Sequence, residues 1–196
     1  LFDTIYHEHY SYLTAHSVDA VTKKCGLNLF HVERLPTHGG SNRYYLSQSK
    51  QPDETVVNVL ADEKNSGLFL EDKWKEFSAA SEKAIVGLRQ WFVDQKVAGN
   101  VVVGYGAAHK GNTFLNAVGE ASKTLEYVVD ASHEKQGKFL PGSQVPVLSP
   151  EKLSSINPTD VLILPWNIAE ELTLKIKSLA PGARIWVAQP SMTKLN

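Results

Sequence analysis

Apolar residues fall at helical spacing over residues 10–26, where Tyr12, Leu13, Ala15, Val18, Val21 and Cys25 recur at mixed intervals of three and four. Gly26 follows as a residue suited to the left-handed position that closes a helix. Two short strand-like runs come next, Leu29 to Leu35 and Arg43 to Leu46. They are joined by Pro36-Thr37-His38-Gly39-Gly40-Ser41, whose glycines permit a tight turn, so the pair predicts an antiparallel hairpin. Residues 51–61 are weakly patterned and include Pro52, and are expected to be a connection. From Ser66 to Lys96, Leu70, Trp74, Phe77, Ala84, Ile85, Leu88, Trp91 and Phe92 recur with charges between them, which predicts one long helix or two in series.

The pattern then changes to short β-branched runs separated by helices. Strands are expected at Asn100 to Gly104, Leu125 to Asp130, Val145 to Leu148, Asp160 to Leu164 and Arg184 to Ala188, with helices at Lys110 to Val118 and Ile168 to Ser178. That alternation predicts an α/β fold, a small Rossmann-like and mostly parallel sheet with helices on both faces. The chain divides on this reading into residues 1–48 (helix and hairpin), 49–97 (linker and long helix) and 98–196 (the Rossmann-like domain).

Composition narrows the classes of function. With 196 residues, the chain has room for one good core and a smaller appendage. Twenty basic against 21 acidic residues give a formal charge of −1, so there is no electrostatic case for a nucleic acid or an anionic membrane as partner. One cysteine, Cys25, cannot form an internal disulfide, and no Cys/His spacing suggests zinc; both fit a reducing, cytoplasmic compartment. No apolar run approaches the roughly 20 residues of a membrane span. The only methionine is Met192, so the chain reads as an excerpt, and a missing N-terminal part is expected to hold half of an active site.

Two segments carry candidate chemistry. Val101-Val102-Val103 runs into Gly104-Tyr105-Gly106-Ala107-Ala108-His109-Lys110-Gly111-Asn112-Thr113, a strand, a glycine-rich turn and a helix start. Such a turn aims backbone N–H groups at an anion, most simply a phosphate, or serves only as a tight connection; both readings stand here. The spacing departs from G-x-G-x-x-G and from the P-loop. Asp130 closes the next strand, where a dinucleotide fold places its ribose-binding acid, yet the loop after it is unlike that of a dehydrogenase. Phe2-Asp3-Thr4-Ile5-Tyr6-His7-Glu8-His9-Tyr10-Ser11-Tyr12 concentrates groups that move or orient protons. As a metal site His7-Glu8-His9 is weak, because alternate residues share a face on a strand but not on a helix.

Taken in order along the chain, four segments resemble the sugar C-methyltransferase family that acts on TDP-linked deoxysugars. They are Phe2 to Tyr12, His38-Gly-Gly-Ser41, Gly104-Tyr-Gly-Ala107 with Lys110-Gly-Asn-Thr113, and Lys138-Phe-Leu-Pro-Gly142; Leu164-Pro165-Trp166-Asn167 also fits. The resemblance implies that a zinc-binding module and a class I methyltransferase domain precede a C-terminal Rossmann-like domain, and that both are largely missing here. S-adenosylmethionine would bind in that missing part, and so would zinc, leaving no cofactor or metal expected in residues 1–196. Residues 1–48 would be the last helix and hairpin of the donor-binding domain. With an unpaired edge and an apolar face they make self-association, as a homodimer, an expectation.

Within this resemblance the proton-transfer residues are Tyr6, Glu8 and His9, with His9 as the base that forms an enolate and Glu8 and Tyr6 orienting it. His7 is expected to face the other way in a structural role, and His38 to serve the turn. Tyr105, His109 and Lys110 are expected to contact the nucleotide-linked sugar. The isolated chain is expected to be catalytically inert. Two other classes remain open: a regulatory module holding a CoA- or NAD-like nucleotide, and a scaffold or dimerisation domain acting through Trp74 and Trp91.

Overall fold

The computed structural model describes residues 2–37 and 40–196, so His38 and Gly39 of the hairpin turn lie outside the described residues. The chain forms two compact units: His9–Ser78, and the residues up to Glu8 together with Ala79–Asn196.

In the His9–Ser78 unit, helix α1 (Ala15–Lys24) begins at Thr14, whose hydroxyl accepts the Ser17 N–H while the Ser17 hydroxyl accepts the Thr14 N–H. That reciprocal cap sets the start several residues later than the periodicity suggested. Strands β1 (Asn28–Leu35) and β2 (Ser41–Ser47) pair antiparallel, as the sequence predicted. The expected connection at 51–61 is instead helix α2 (Glu54–Asn65). Asp53 caps it by accepting the Thr55 N–H at 2.9 Å, and Pro52 precedes the cap rather than interrupting a helix. Val56 and Val59, one helical step apart, are buried with Ala15, Leu29 and Val32. Hydrogen bonds from the Thr55 hydroxyl and from His31 hold the Asp53 carboxyl at about 2, below its ordinary 3.8. A depressed carboxyl adds stability above its unfolded value and loses it as pH falls through the folded one. Thermal melting should therefore show this unit weakening as pH drops from 3.8 towards 2, and Asp53→Asn should flatten that part of the curve.

The boundary between the units falls within α3 (Glu71–Val97), which Gly67 and a turn separate from α2. The larger unit is built on a six-stranded sheet. Its strands are β3 (Val102–Tyr105), β4 (Leu125–Val129), β5 (Val147–Leu148), β6 (Asp160–Ile163), β7 (Arg184–Val187) and β8 (Thr193–Lys194), in the order β5-β4-β3-β6-β7-β8. All pairs are parallel except β7 with β8, a two-residue antiparallel edge that the sequence did not announce.

Alternation along the strands splits the core in two. Val102, Val128 and Leu162 face Leu88, Trp91 and Phe92 of α3 and Phe114, Leu115 and Val118 of α4 (His109–Val118). Val103, Tyr105, Val129, Val161 and Ile163 face Leu153 of α5 (Lys152–Ile156) and Leu172 and Ile176 of α6 (Ala169–Leu179). Leu88, Trp91 and Phe92 follow i, i+3, i+4 spacing, and each fully buried side chain of this size contributes about 1.5–3 kcal/mol. Trp91 stacks obliquely on Trp186 at 5.6 Å, so one of the two tryptophans invoked for a scaffold role belongs to the core.

Candidate functional site

The order of the strands reverses between β3 and β6, and the turns leaving these two strands pack together there. Gly106, at φ +87°, lies so close to Pro165 that a Cβ would sit 2.6 Å from its ring. A Cβ on Gly111 would fall on Leu164. The glycines are thus required by turn-on-turn packing. The loop's own polar groups are also taken. Gly106 donates its N–H to the Val129 carbonyl at 2.7 Å, and Ala107 donates to Asp130 Oδ2 at 2.7 Å. Asp130 Oδ1 accepts from the Ser132 N–H at 2.8 Å, and Lys135 Nζ donates to the Ala107 carbonyl at 2.9 Å. A dinucleotide or a nucleoside donor would need the Ala107 N–H and the Asp130 carboxylate, and both are consumed in pinning the loop. At Ala107 and Asp130 the loop is therefore turned inward, away from the Rossmann contacts that S-adenosylmethionine or NAD would make there.

Against this pinned loop lies the N-terminal segment. Phe2–Thr4 forms a 3-10 turn, and the Phe2 ring meets Phe114 of α4 edge-on at 5.0 Å. Asp3 is 1% exposed and accepts the Trp166 indole N–H at 2.7 Å. The Thr113 hydroxyl donates to the Ile5 carbonyl at 3.2 Å, and Lys110 Nζ sits 4.8 Å above the Trp166 ring. These contacts lay Tyr6, His7 and Glu8 along a cleft of about 320 Å³, whose other wall comes from Ala107, Ala108, His109 and Asn112 and whose apolar side comes from Leu140, Pro141 and Val147. Glu8 is bracketed by imidazoles: Oε2 is 3.3 Å from His7 Nδ1, and Oε1 is 3.8 Å from His109 Nε2. The Tyr6 and His109 rings are 5.2 Å apart. Lys135 and Lys138 also line the cleft. A carboxylate, two imidazoles, a phenol and two ammonium groups around a largely apolar hollow suit a ligand with an anionic part and a proton to move.

Of the residues singled out in the sequence, Tyr6, Glu8 and His109 are brought together here. His7, expected to face away, lines the cleft and pairs with Glu8 instead, because residues 6–8 form no strand that would alternate their side chains. Tyr105 is not at the cleft. It lies on the α5/α6 face of the sheet, 5% exposed, where burial pushes its phenol up. Lys110 lines a small recess beside Asp3 and Trp166. His9 is exposed in the His9–Ser78 unit, its ring 6.3 Å from that of Tyr12. Sequence reasoning missed Asp3 and the walls given by Asn112, Lys135 and Lys138. For Asp3 the available signal was an acid at the head of the segment resembling the sugar C-methyltransferases, and for Trp166 its place in Leu164-Pro165-Trp166-Asn167.

Residues 36–190 match the family described as the C-methyltransferase C-terminal domain. The chain is similar to C-methyltransferase NovU of Streptomyces niveus, with 34% identity over 193 residues. The match covers 96% of this chain and 46% of the relative, so the chain spans about half the length of the curated relative it matches.

Proposed function

Because the chain belongs to the C-methyltransferase C-terminal domain family, we propose that it forms the acceptor side of a full-length enzyme that methylates a ring carbon of a nucleotide-linked keto-deoxysugar, with S-adenosylmethionine as methyl donor. The observation that carries this reading is the cleft in which Tyr6 and Glu8 meet His109, since it joins two regions that sequence reasoning selected separately. The donor is a co-substrate held outside residues 1–196, in keeping with a glycine loop whose Gly106, Ala107 and Ala108 N–H groups are already engaged.

A ring carbon becomes nucleophilic only after the proton beside the ketone is removed. His9, next to Glu8 in the chain, is the proposed base; Glu8 and Tyr6 orient and stabilise the charged imidazole. The enolate carbon then displaces the methyl group from the sulfonium, a step governed by alignment. Lys138, which lines the cleft, supplies the complement to the nucleotide's phosphates. The regulatory-nucleotide reading is disfavoured by the engaged Ala107 N–H and Asp130 carboxylate; the scaffold reading loses Trp91 to the core and keeps only Trp74, which is exposed.

The test uses the full-length protein with S-adenosylmethionine and a TDP-linked keto-deoxysugar. Mass spectrometry should show one methyl group added to the sugar, while residues 1–196 alone should bind the sugar nucleotide without turnover. Failure of the full-length protein to bind or methylate any nucleotide-linked keto-sugar would remove the reading.

A further inference from the structure

We propose that His109 is a catalytic residue of this site: its imidazole, steadied by Glu8 through Nε2, donates through Nδ1 to the ketone oxygen as that oxygen gains charge during enolate formation. The inference rests on the substrate reading above and extends it, because the sequence suggested only a binding contact for His109.

Enolisation places negative charge on oxygen, so the acceptor site requires a donor aimed at that atom. Glu8, when ionised, can only accept. Lys135 is already tied to the Ala107 carbonyl and to Asp130. His109 lines the same cleft as Tyr6 and Glu8, with its Nε2 3.8 Å from Glu8 Oε1. Catalytic hydrogen bonds of this kind commonly tighten when ligand binds. A carboxylate beside Nε2 balances the positive charge of an imidazolium and leaves the Nδ1–H for the ligand, the same division of labour found in carboxylate–histidine pairs elsewhere.

The backbone that carries His109 is also held in place, as a preorganised donor requires. His109 opens α4 directly after the loop that Gly106, Asp130 and Lys135 pin. Its ring packs 5.2 Å from Tyr6, and Tyr6 belongs to the segment anchored by Asp3 on Trp166. The positive end of the α4 dipole at the same point favours charge on the ketone oxygen, and the Glu8 carboxylate offsets its push against an imidazolium.

The step balances without further reagents. The C–H proton passes to the base, the C–H electron pair becomes the new C=C bond, and the C=O π pair moves onto the oxygen facing His109. When the enolate carbon attacks the methyl group, the S–CH3 bond breaks with its pair left on sulfur, and the ketone re-forms while His109 keeps its proton.

Two readouts on the full-length protein test this: turnover with S-adenosylmethionine, and donor-independent exchange of the acceptor's α-hydrogen into D2O, both with a TDP-linked keto-deoxysugar. His109→Leu should lower kcat and the exchange rate by about 10²- to 10³-fold, with KM and melting temperature little changed. His109→Asn, which can present an amide N–H near the Nδ1 position, should recover part of both. A folded His109→Leu with wild-type kcat and exchange, raised only in KM, overturns the proposal and leaves His109 as a binding contact. An unmodified protein that neither binds nor methylates overturns the substrate reading itself, which is visible before any variant is compared.

Discussion

In the full-length protein, His9→Ala is expected to lower methyl transfer by about 10²- to 10⁴-fold, the usual worth of a positioned general base, while the affinity for the nucleotide-linked sugar is preserved. The two effects separate because a base acts on one C–H bond, whereas the proposed ligand cleft is walled by other groups, among them His109, Asn112 and Lys138. Calorimetric titration of the sugar nucleotide and steady-state turnover measured on the same preparation give the comparison. Donor-independent α-hydrogen exchange should vanish with turnover. Unchanged turnover would take His9 out of the mechanism and leave His7, beside Glu8, as the remaining base.

The largest effect on stability is expected at Asp160, which is 0% exposed. Its Oδ1 accepts from Arg184 Nε at 2.8 Å and from the Trp186 indole at 2.7 Å, and its Oδ2 accepts from Arg184 Nη2 at 2.6 Å. Asp160→Ala strands the guanidinium and the indole N–H between β6 and β7 and should cost about 3 kcal/mol, the lower end of what breaking a buried pair costs, because Arg184 keeps part of its surface in water. Urea unfolding followed by tryptophan fluorescence, to which Trp186 contributes, reads the loss. Asp160→Asn, which keeps an acceptor for one donor, should fall between the two. Equal stability of wild type and Asp160→Ala would show that water replaces the carboxylate at no cost.

Much of the sheet was legible because parallel strands buried on both faces appear as continuous β-branched runs, such as Val101-Val102-Val103 and Val161-Leu162-Ile163. The same property hid the position of Tyr105. When both faces of a strand are apolar, alternation does not say which side carries the site, and the glycine motif drew attention to a tyrosine that points into the α5/α6 core. Helix α2 was obscured by Pro52, although Asp53, Thr55, Val56 and Val59 carry a complete start signal one residue later. The segments of the site were readable one by one, but their meeting was not. Glu8 and His109 come together through contacts between residues far apart in sequence, Phe2 with Phe114 and Asp3 with Trp166, and nothing local in either segment encodes the partner.

The Asp3–Trp166 bond, which joins residues 163 positions apart, also dictates an order of assembly. A ribosome adding about 5–20 residues per second needs roughly 10–30 s to reach the indole after the aspartate has emerged. The His9–Ser78 unit, emerging in one piece, can close during that interval. Residues 2–8 must wait, with Phe2 and Asp3 lacking their partners Phe114 and Trp166, until the strands and turns around Trp166 exist. The cleft along Tyr6, His7 and Glu8 therefore forms only once Trp166 has been synthesised, and residues 2–8 stay open to proteolysis until then.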